Sequence, residues 1–355
     1  MRFVALAFSL LSTAKAAYDH NYFDNLRNDS LVKAEKSDAN EDRLWKVTVD
    51  DTTFQLAQIT AFLPFSDGTK ISEGVEDDLA ATLMAIYHFN NPEESPHLSS
   101  KANPQIFEDL KNCNIKLTAE FHDTRDSPID STRRFTQILQ RENTFQVASP
   151  AGVIGAYRSA VTSPLAILTG VNEIPQISYA STSTDFDVKE QYPLFGRTIQ
   201  SSTGEAQVAL DFFETLGATH VGVLFVTDAF GSALQKAFQD AASEKDIFTD
   251  SVAFSYSADL NGDEIQNAVE SLKKTLYRLF YVIAFDVHYE TIMTAAYKQD
   301  LVGEGFLWIF DGIQSSTFHR NANYLPGKFV VNLPCVSLCR ENRTLILLLF
   351  YRFCT

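Results

Sequence analysis

Histidine, cysteine and carboxylate side chains are the groups that could carry catalysis or hold a metal, and their spacing here supports neither. His122, His220, His288 and His319 are scattered, with no recognisable nucleophile–base–acid triad around them. Cys335 and Cys339 lack the second cysteine pair or nearby histidines that a tetrahedral zinc site needs. The adjacent acids Glu76, Asp77 and Asp78 fall at the start of a helical stretch, where negative charge stabilises the amino end of the helix dipole. A GxSxG elbow, an HExxH pair and the glycine-rich phosphate and dinucleotide loops are all missing from the sequence. The expectation is therefore no catalytic residue, no metal and no cofactor.

The elements that would position a binding site follow a regular grammar from Phe54 onward. Apolar runs of strand length alternate with amphipathic stretches of helical length, the βαβ pattern of a parallel sheet. Strands are predicted at 55–65, 115–122, 146–155, 175–179, 220–226, 249–255, 278–285 and 306–310. Their dense β-branched and aromatic content fits strands covered on both faces. Helices are predicted at 75–90, 127–140, 159–172, 203–216, 231–244, 264–276 and 289–300. In the first of these, Leu79, Leu83, Ile86, Tyr87 and Phe89 form an apolar stripe that reads as core. The connection 192–202 is polar and reads as a boundary, with Ser201-Ser202-Thr203 capping the next helix. Two successive βαβ sets imply two lobes, and the carboxyl ends of their strands are the default place for a ligand.

Composition and chain ends agree with an exported binding protein. The 355 residues suffice for two domains, and a net charge of −16 argues against nucleic-acid or anionic-membrane partners. Arg2, the apolar run 3–11 and the small residues Ala14 and Ala16 form a signal-peptide pattern, with cleavage expected after Ala16. Asn28 and Asn342 begin glycosylation sequons. Residues 17–51 are polar and without periodicity, and read as a loose segment. No apolar run reaches the roughly 18 to 20 residues of a membrane span; the nearest, 345–351, is stopped by Arg352. Four cysteines leave a secreted disulfide open, with its pairing unassigned.

Two ordered blocks carry a family resemblance. Gly152-Val153-Ile154-Gly155-Ala156 leads through Ile174-Pro175-Gln176-Ile177-Ser178-Tyr179-Ala180-Ser181-Thr182-Ser183 to Tyr192-Pro193-Leu194-Phe195-Gly196-Arg197-Thr198. Later, Leu216-Gly217, the strand 221–226 and Asp228-Ala229-Phe230-Gly231 follow in the same order. Over about residues 52–330 the chain resembles the ligand-binding region of class C G-protein-coupled receptors, metabotropic glutamate and GABA type B receptors among them, and of leucine-binding proteins. The resemblance implies a two-lobed α/β fold of the type I periplasmic-binding-protein kind, with parallel sheets flanked by helices. It divides the chain into a signal peptide (1–16), the loose segment (17–51), lobe 1 (52–198), lobe 2 (199–330) and an atypical tail (331–355). Because the pattern is lost after residue 330, lobe 1 is expected to be incomplete and the fold C-terminally truncated.

What the resemblance implies for the site is residue-specific. Ser159 matches the hydroxyl that holds a ligand carboxylate together with amides at a helix N-terminus, a ready anion site; the competing reading is a simple helix cap. Ala180 matches a backbone contact and Thr182 a hydroxyl contact to the ligand. Phe230 stands where relatives carry tyrosine, so a ring face remains for an ammonium without the phenolic hydrogen bond. Asp311 matches an acid that pairs with the ligand ammonium, and equally suits a turn before Gly312. Ser202 replaces an acid of glutamate-binding members. Arg158 is larger than the family's usual residue, and either neutralises a second ligand carboxylate or points into solvent. Ser127 stands where many members place a cysteine, which implies no lobe-1 disulfide and a free Cys113. The implied function is a receptor's extracellular domain, at the outer face of the plasma membrane, closing on a small amino-acid-like ligand. Homodimerisation through lobe 1, and a membrane domain in the intact gene product, belong to the same implication. The alternatives are a secreted carrier with no signalling role and a non-functional fragment.

Overall fold

Near-continuous apolar runs build the strands 220–226, 279–283 and 307–311, which are largely buried, whereas 115–123 alternates apolar with polar residues. The computed structural model describes residues 32–36, 43–49, 54–65, 75–94, 104–145, 149–257, 263–311 and 330–333. The signal-peptide pattern with Ala16, the sequons at Asn28 and Asn342, and Cys335, Cys339 and Cys354 lie outside the described residues.

Two compact units divide the chain. The first comprises residues 1–181, 188–199 and 340–355, and the second residues 182–187 and 200–339. The chain thus passes between units three times around the connection that the sequence marks as a single boundary.

In the first unit the elements run β1 (Val32–Lys36), β2 (Arg43–Val49), β3 (Gln55–Leu63), α1 (Val75–Asn90), α2 (Pro104–Lys111), β4 (Ile115–Asp123), α3 (Pro128–Phe145), β5 (Gly152–Ile154), α4 (Ser159–Val171), β6 (Gln176–Ser178) and β7 (Phe195–Arg197). They form one seven-stranded sheet in the order β1-β2-β4-β3-β5-β6-β7. From β4 to β7 the pairs are parallel, while β1, β2 and β4 pair antiparallel. The segment expected to be loose therefore contributes two strands that extend the sheet at its β4 side. Ile59, Ala61 and Leu63 of β3 pack with Leu79, Leu83, Ile86 and Phe89 of α1 on one face. Phe62 points the other way, onto Phe135, Ile138, Val161 and Leu165 of α3 and α4. Each fully buried side chain of this size contributes about 1.5–3 kcal/mol.

The second unit repeats the plan with α5 (Ser202–Thr215), β8 (His220–Val226), α6 (Ala229–Glu244), β9 (Phe248–Phe254), α7 (Asp263–Lys273), β10 (Leu279–Ile283), α8 (Asp286–Lys298), β11 (Leu307–Asp311) and β12 (Val330–Leu333). Its five parallel strands lie in the order β12-β11-β10-β8-β9. Phe280 and Trp308 stack at 4.3 Å within the α7/α8 layer, while Phe213, Phe238 and Tyr281 fill the α5/α6 layer. Residues 330–333 complete this second sheet as its β11-side edge.

Numbered by appearance, the parallel strands of each unit read 2-1-3-4-5: β4-β3-β5-β6-β7 in the first and β9-β8-β10-β11-β12 in the second. That order carries a switch point between its first and third strands, where the connections leave in opposite directions.

Candidate functional site

A crevice opens beyond the carboxyl ends of the strands that flank such a switch point. In the first unit these are β3 and β5, and β5 feeds straight into α4. Gly155, at φ +107°, makes the turn; a Cβ built there would lie 2.2 Å from the carbonyl oxygen of Phe62, so only glycine fits. Ser159 is the first helical residue and is buried, while Arg158 occupies the cap position in an extended conformation. No side-chain hydrogen bond caps α4. This corrects the capping reading of Ser159: its hydroxyl stands one position too far along to serve as a cap.

Three buried hydroxyls fix the loop that carries Ser159. Ser178 Oγ, Thr162 Oγ1 and Ser181 Oγ donate to the carbonyl of Ala156 at 2.7, 3.1 and 3.2 Å. Ser181 Oγ also lies 3.1 Å from the carbonyl of Tyr157 and 2.7 Å from Thr162 Oγ1. Ser178 Oγ in turn accepts from the backbone N–H groups of Ala180 and Ser181. The loop after β6, with Ala180, is thereby tied to the loop after β5, with Ser159. Sequence reading placed the two ends of this arrangement and missed the hydroxyls between them. The signal was a serine- and threonine-rich stretch directly after a buried strand.

Arg158 does not point into solvent, one of the two readings that the sequence allowed. Its guanidinium is buried, with Nη1 3.0 Å from Asp126 Oδ2 and donating to the Asp126 carbonyl at 3.3 Å. Tyr157 lies exposed beside Tyr179, ring centroids 6.2 Å apart. Burial and the charge of Asp78 push the Tyr179 phenol well above its ordinary value. The expectation of a free Cys113 is also corrected, since Cys113 is disulfide-bonded. A cysteine at position 127 is not the only way to oxidise it, and the other three cysteines lie beyond the described residues.

Within the second unit, Thr182 is buried against the start of α5. Its carbonyl accepts from the Ser202 amide at 2.8 Å and from Ser202 Oγ at 3.0 Å. Ser202 Oγ also reaches Thr182 Oγ1 at 3.2 Å, and Ser201 Oγ donates to Asp187 Oδ2 at 2.9 Å. The serines expected to cap this helix make no side-chain cap, because their hydroxyls are spent on residues 182 and 187. The next helix, α6, does have a side-chain cap: Asp228 Oδ1 accepts from the Gly231 amide at 2.8 Å. Two residues after it, Phe230 packs on Phe285 at the β8/β10 switch point, 5.3 Å between ring centroids.

Asp311 is the last residue of β11 and pairs with Leu333; Gly312, on which the turn reading depends, lies outside the described residues. Its carboxylate accepts from the Tyr281 hydroxyl at 3.1 Å, and its carbonyl from the Tyr289 hydroxyl at 2.5 Å. Burial pushes the Asp311 carboxyl up to about 6, against the opposing pull of the Tyr281 hydrogen bond. Among the described residues there is no cluster of side chains suited to a metal ion, and no helix long and apolar enough to cross a membrane.

Comparison with known proteins gives these loops a context. The model of the receptor family ligand binding region matches residues 105–333. The human extracellular calcium-sensing receptor is 27% identical over 234 residues, covering 65% of this chain and 21% of that receptor. Rat metabotropic glutamate receptor 4 is 36% identical over 93 residues, 26% of this chain and 10% of the receptor. Human metabotropic glutamate receptor 8 is 28% identical over 160 residues, 45% and 18% of the respective lengths. The chain spans about a fifth of the length of the calcium-sensing receptors that it matches. These relatives are receptors and not enzymes, in keeping with a sequence that carries no catalytic motif. With a parallel α/β fold of the type I periplasmic-binding-protein kind, and a family match over most of its length, the chain belongs to the receptor family ligand-binding region.

Proposed function

We propose that this chain is the ligand-binding module of a receptor at the outer face of the plasma membrane, taking a small amino-acid-like ligand. The observation that carries the reading is the start of α4. A buried helix end without a side-chain cap, carrying Ser159 and held by the Ser178–Thr162–Ser181 hydroxyls, lies at the switch point of its sheet. Amides of a first helical turn, with the equivalent of about half a positive charge, match a carboxylate. Fixed hydroxyls and backbone lower the cost of ordering the loop when the ligand arrives.

In this reading Ser159 donates to the ligand carboxylate, Ala180 offers its backbone and Thr182 its hydroxyl. Phe230 presents a ring face to the ammonium and Asp311 supplies its counter-charge. Ligand affinity that is greater in a closed than in an open state of the two lobes shifts their equilibrium, and that shift is the signal. Pairing of two copies through the first lobe and a membrane domain elsewhere in the receptor complete the proposal.

Isothermal titration of the chain with the common amino acids tests it. At least one should bind, and Ser159→Ala should weaken that ligand about tenfold, the worth of one charge-assisted hydrogen bond. Binding unaltered by Ser159→Ala, or no binding by any amino acid, refutes the assignment.

A further inference from the structure

A full positive charge beside an anion site changes which anions it prefers, and Arg158 directly precedes Ser159 at the start of α4. Left alone, its guanidinium would add to the partial charge of the helix end and draw ligands with two negative charges. It is not left alone. Nη1 lies 3.0 Å from Asp126 Oδ2 and donates to the Asp126 carbonyl at 3.3 Å, with the Arg158 side chain 6% exposed and that of Asp126 19%.

The backbone that carries the Asp126 carboxylate is fixed by its own loop. Arg125 and Asp126 adopt φ values of 48° and 54°, a region that Asp tolerates better than most residues. The Arg125 amide donates to Asp123 Oδ1 at 2.9 Å, the Asp126 amide to Thr124 Oγ1 at 3.2 Å, and the Ser127 amide to the Thr124 carbonyl at 2.9 Å. A carboxylate built into a bonded turn and aimed at a buried guanidinium makes a pair with no net charge.

We infer that Asp126 sets the charge selectivity of the α4 site: by holding and neutralising Arg158, it makes the site accept ligands with one carboxylate and discriminate against those with two. The inference rests on the carboxylate reading of α4 given above. It makes Asp126 a specificity-determining residue that need not touch the ligand.

L-Glutamine and L-glutamate, alike in shape and different by one charge, are the probes, titrated calorimetrically into the chain. The parent should bind glutamine at least as tightly as glutamate. Asp126→Asn uncovers the arginine and should move the affinity ratio toward glutamate by about fivefold, the effect of one charge within about 8 Å at an effective dielectric near 40. Arg158→Met uncovers the aspartate and should move the ratio about as far in the opposite direction. The double variant should return to the parent's ratio. A pair that serves the fold alone would lower both affinities together and leave the ratio unmoved in either single variant, which overturns the inference. If neither probe binds the parent while another amino acid does, the inference falls alone; if no amino acid binds, the α4 reading falls with it, so the two failures are distinct.

Discussion

Replacing Asp311 by Asn tests the electrostatics of the second unit with a change of one charge and almost no change of shape. The Tyr281 hydroxyl donates to Asp311 Oδ1, and the amide oxygen of Asn can accept the same bond. The Tyr289 hydroxyl bonds the backbone carbonyl and is indifferent to the substitution. What goes is an ionisable group that burial raises from its ordinary 3.8 to about 6. Because the folded value is the higher one, the folded state holds the proton more tightly between those two values. The contribution of Asp311 to stability is therefore fully present below about pH 4 and is lost as the pH rises through 6. The gap corresponds to about 3 kcal/mol. Parent and Asp311→Asn chains should be about equally stable at pH 4, and the variant about 3 kcal/mol more stable at pH 7.5. At a urea slope of about 2 kcal/mol/M the midpoints then separate by about 1.5 M. Trp308 is buried in the second unit, so its fluorescence in a Trp45→Phe background reports the relevant transition. A midpoint difference that stays constant from pH 4 to 7.5, or that changes with the opposite sign, would refute the reasoning.

Glu120 behaves in the opposite sense. Burial alone would raise its carboxyl, but His122 Nε2 at 3.4 Å, the Arg141 hydrogen bond at 2.9 Å and the charges of both outweigh it and hold the group at about 2. Its contribution is present above the ordinary 4.5 and is lost as the pH falls through 2. Glu120→Gln should cost about 2 kcal/mol at pH 7, after allowance for solvent around the 36% exposed Arg141, and nothing at pH 2, measured by urea unfolding. Gly155→Ala should lower stability by at least about 3 kcal/mol, since both its φ of +107° and the 2.2 Å approach to the Phe62 carbonyl must be relieved. Gly217→Ala, at φ +70° with open space around it, should cost only about 1 kcal/mol in the same assay.

The alternating architecture is legible in the sequence because covered parallel strands are short apolar runs between turn residues. The run 220–226 is a strand over the predicted span, and the other interior strands differ mainly at their ends. The ribbon of β1 and β2 escapes such a reading. Lys33, Glu35 and Lys46 break its apolar pattern, and antiparallel edge strands need only every second residue to be apolar. β7 is missed because three residues, Phe195–Arg197, are too few to show any period.

At the candidate site, local chemistry was readable and tertiary chemistry was not. Ser159 is marked by the family resemblance of the block that contains it. Arg158 and Asp126 are 32 residues apart, and only the packing of α4 beside the β4–α3 turn makes them partners. The same holds for Ser181, whose hydroxyl finds Ala156 across 25 residues. Ser201 and Ser202 show the converse: a good capping sequence was diverted by acceptors on Asp187 and Thr182 that no local window contains.

The three passages of the chain between units bear on how the protein is made at the ribosome. Thr182–Asp187 belongs to the second unit but is synthesised before the rest of it, and its buried Phe186 has no second-unit layer to enter until α5 and α6 have emerged. β7, the last strand of the first sheet, is synthesised after that orphaned turn, so β6 waits with an open edge. The first sheet can close once β7 has emerged, ahead of most of the second unit, but the turn 182–187 must wait for that second unit to be translated. Residues 182–187 are thus the one stretch inside the first unit's sequence that stays uncommitted until the second unit follows.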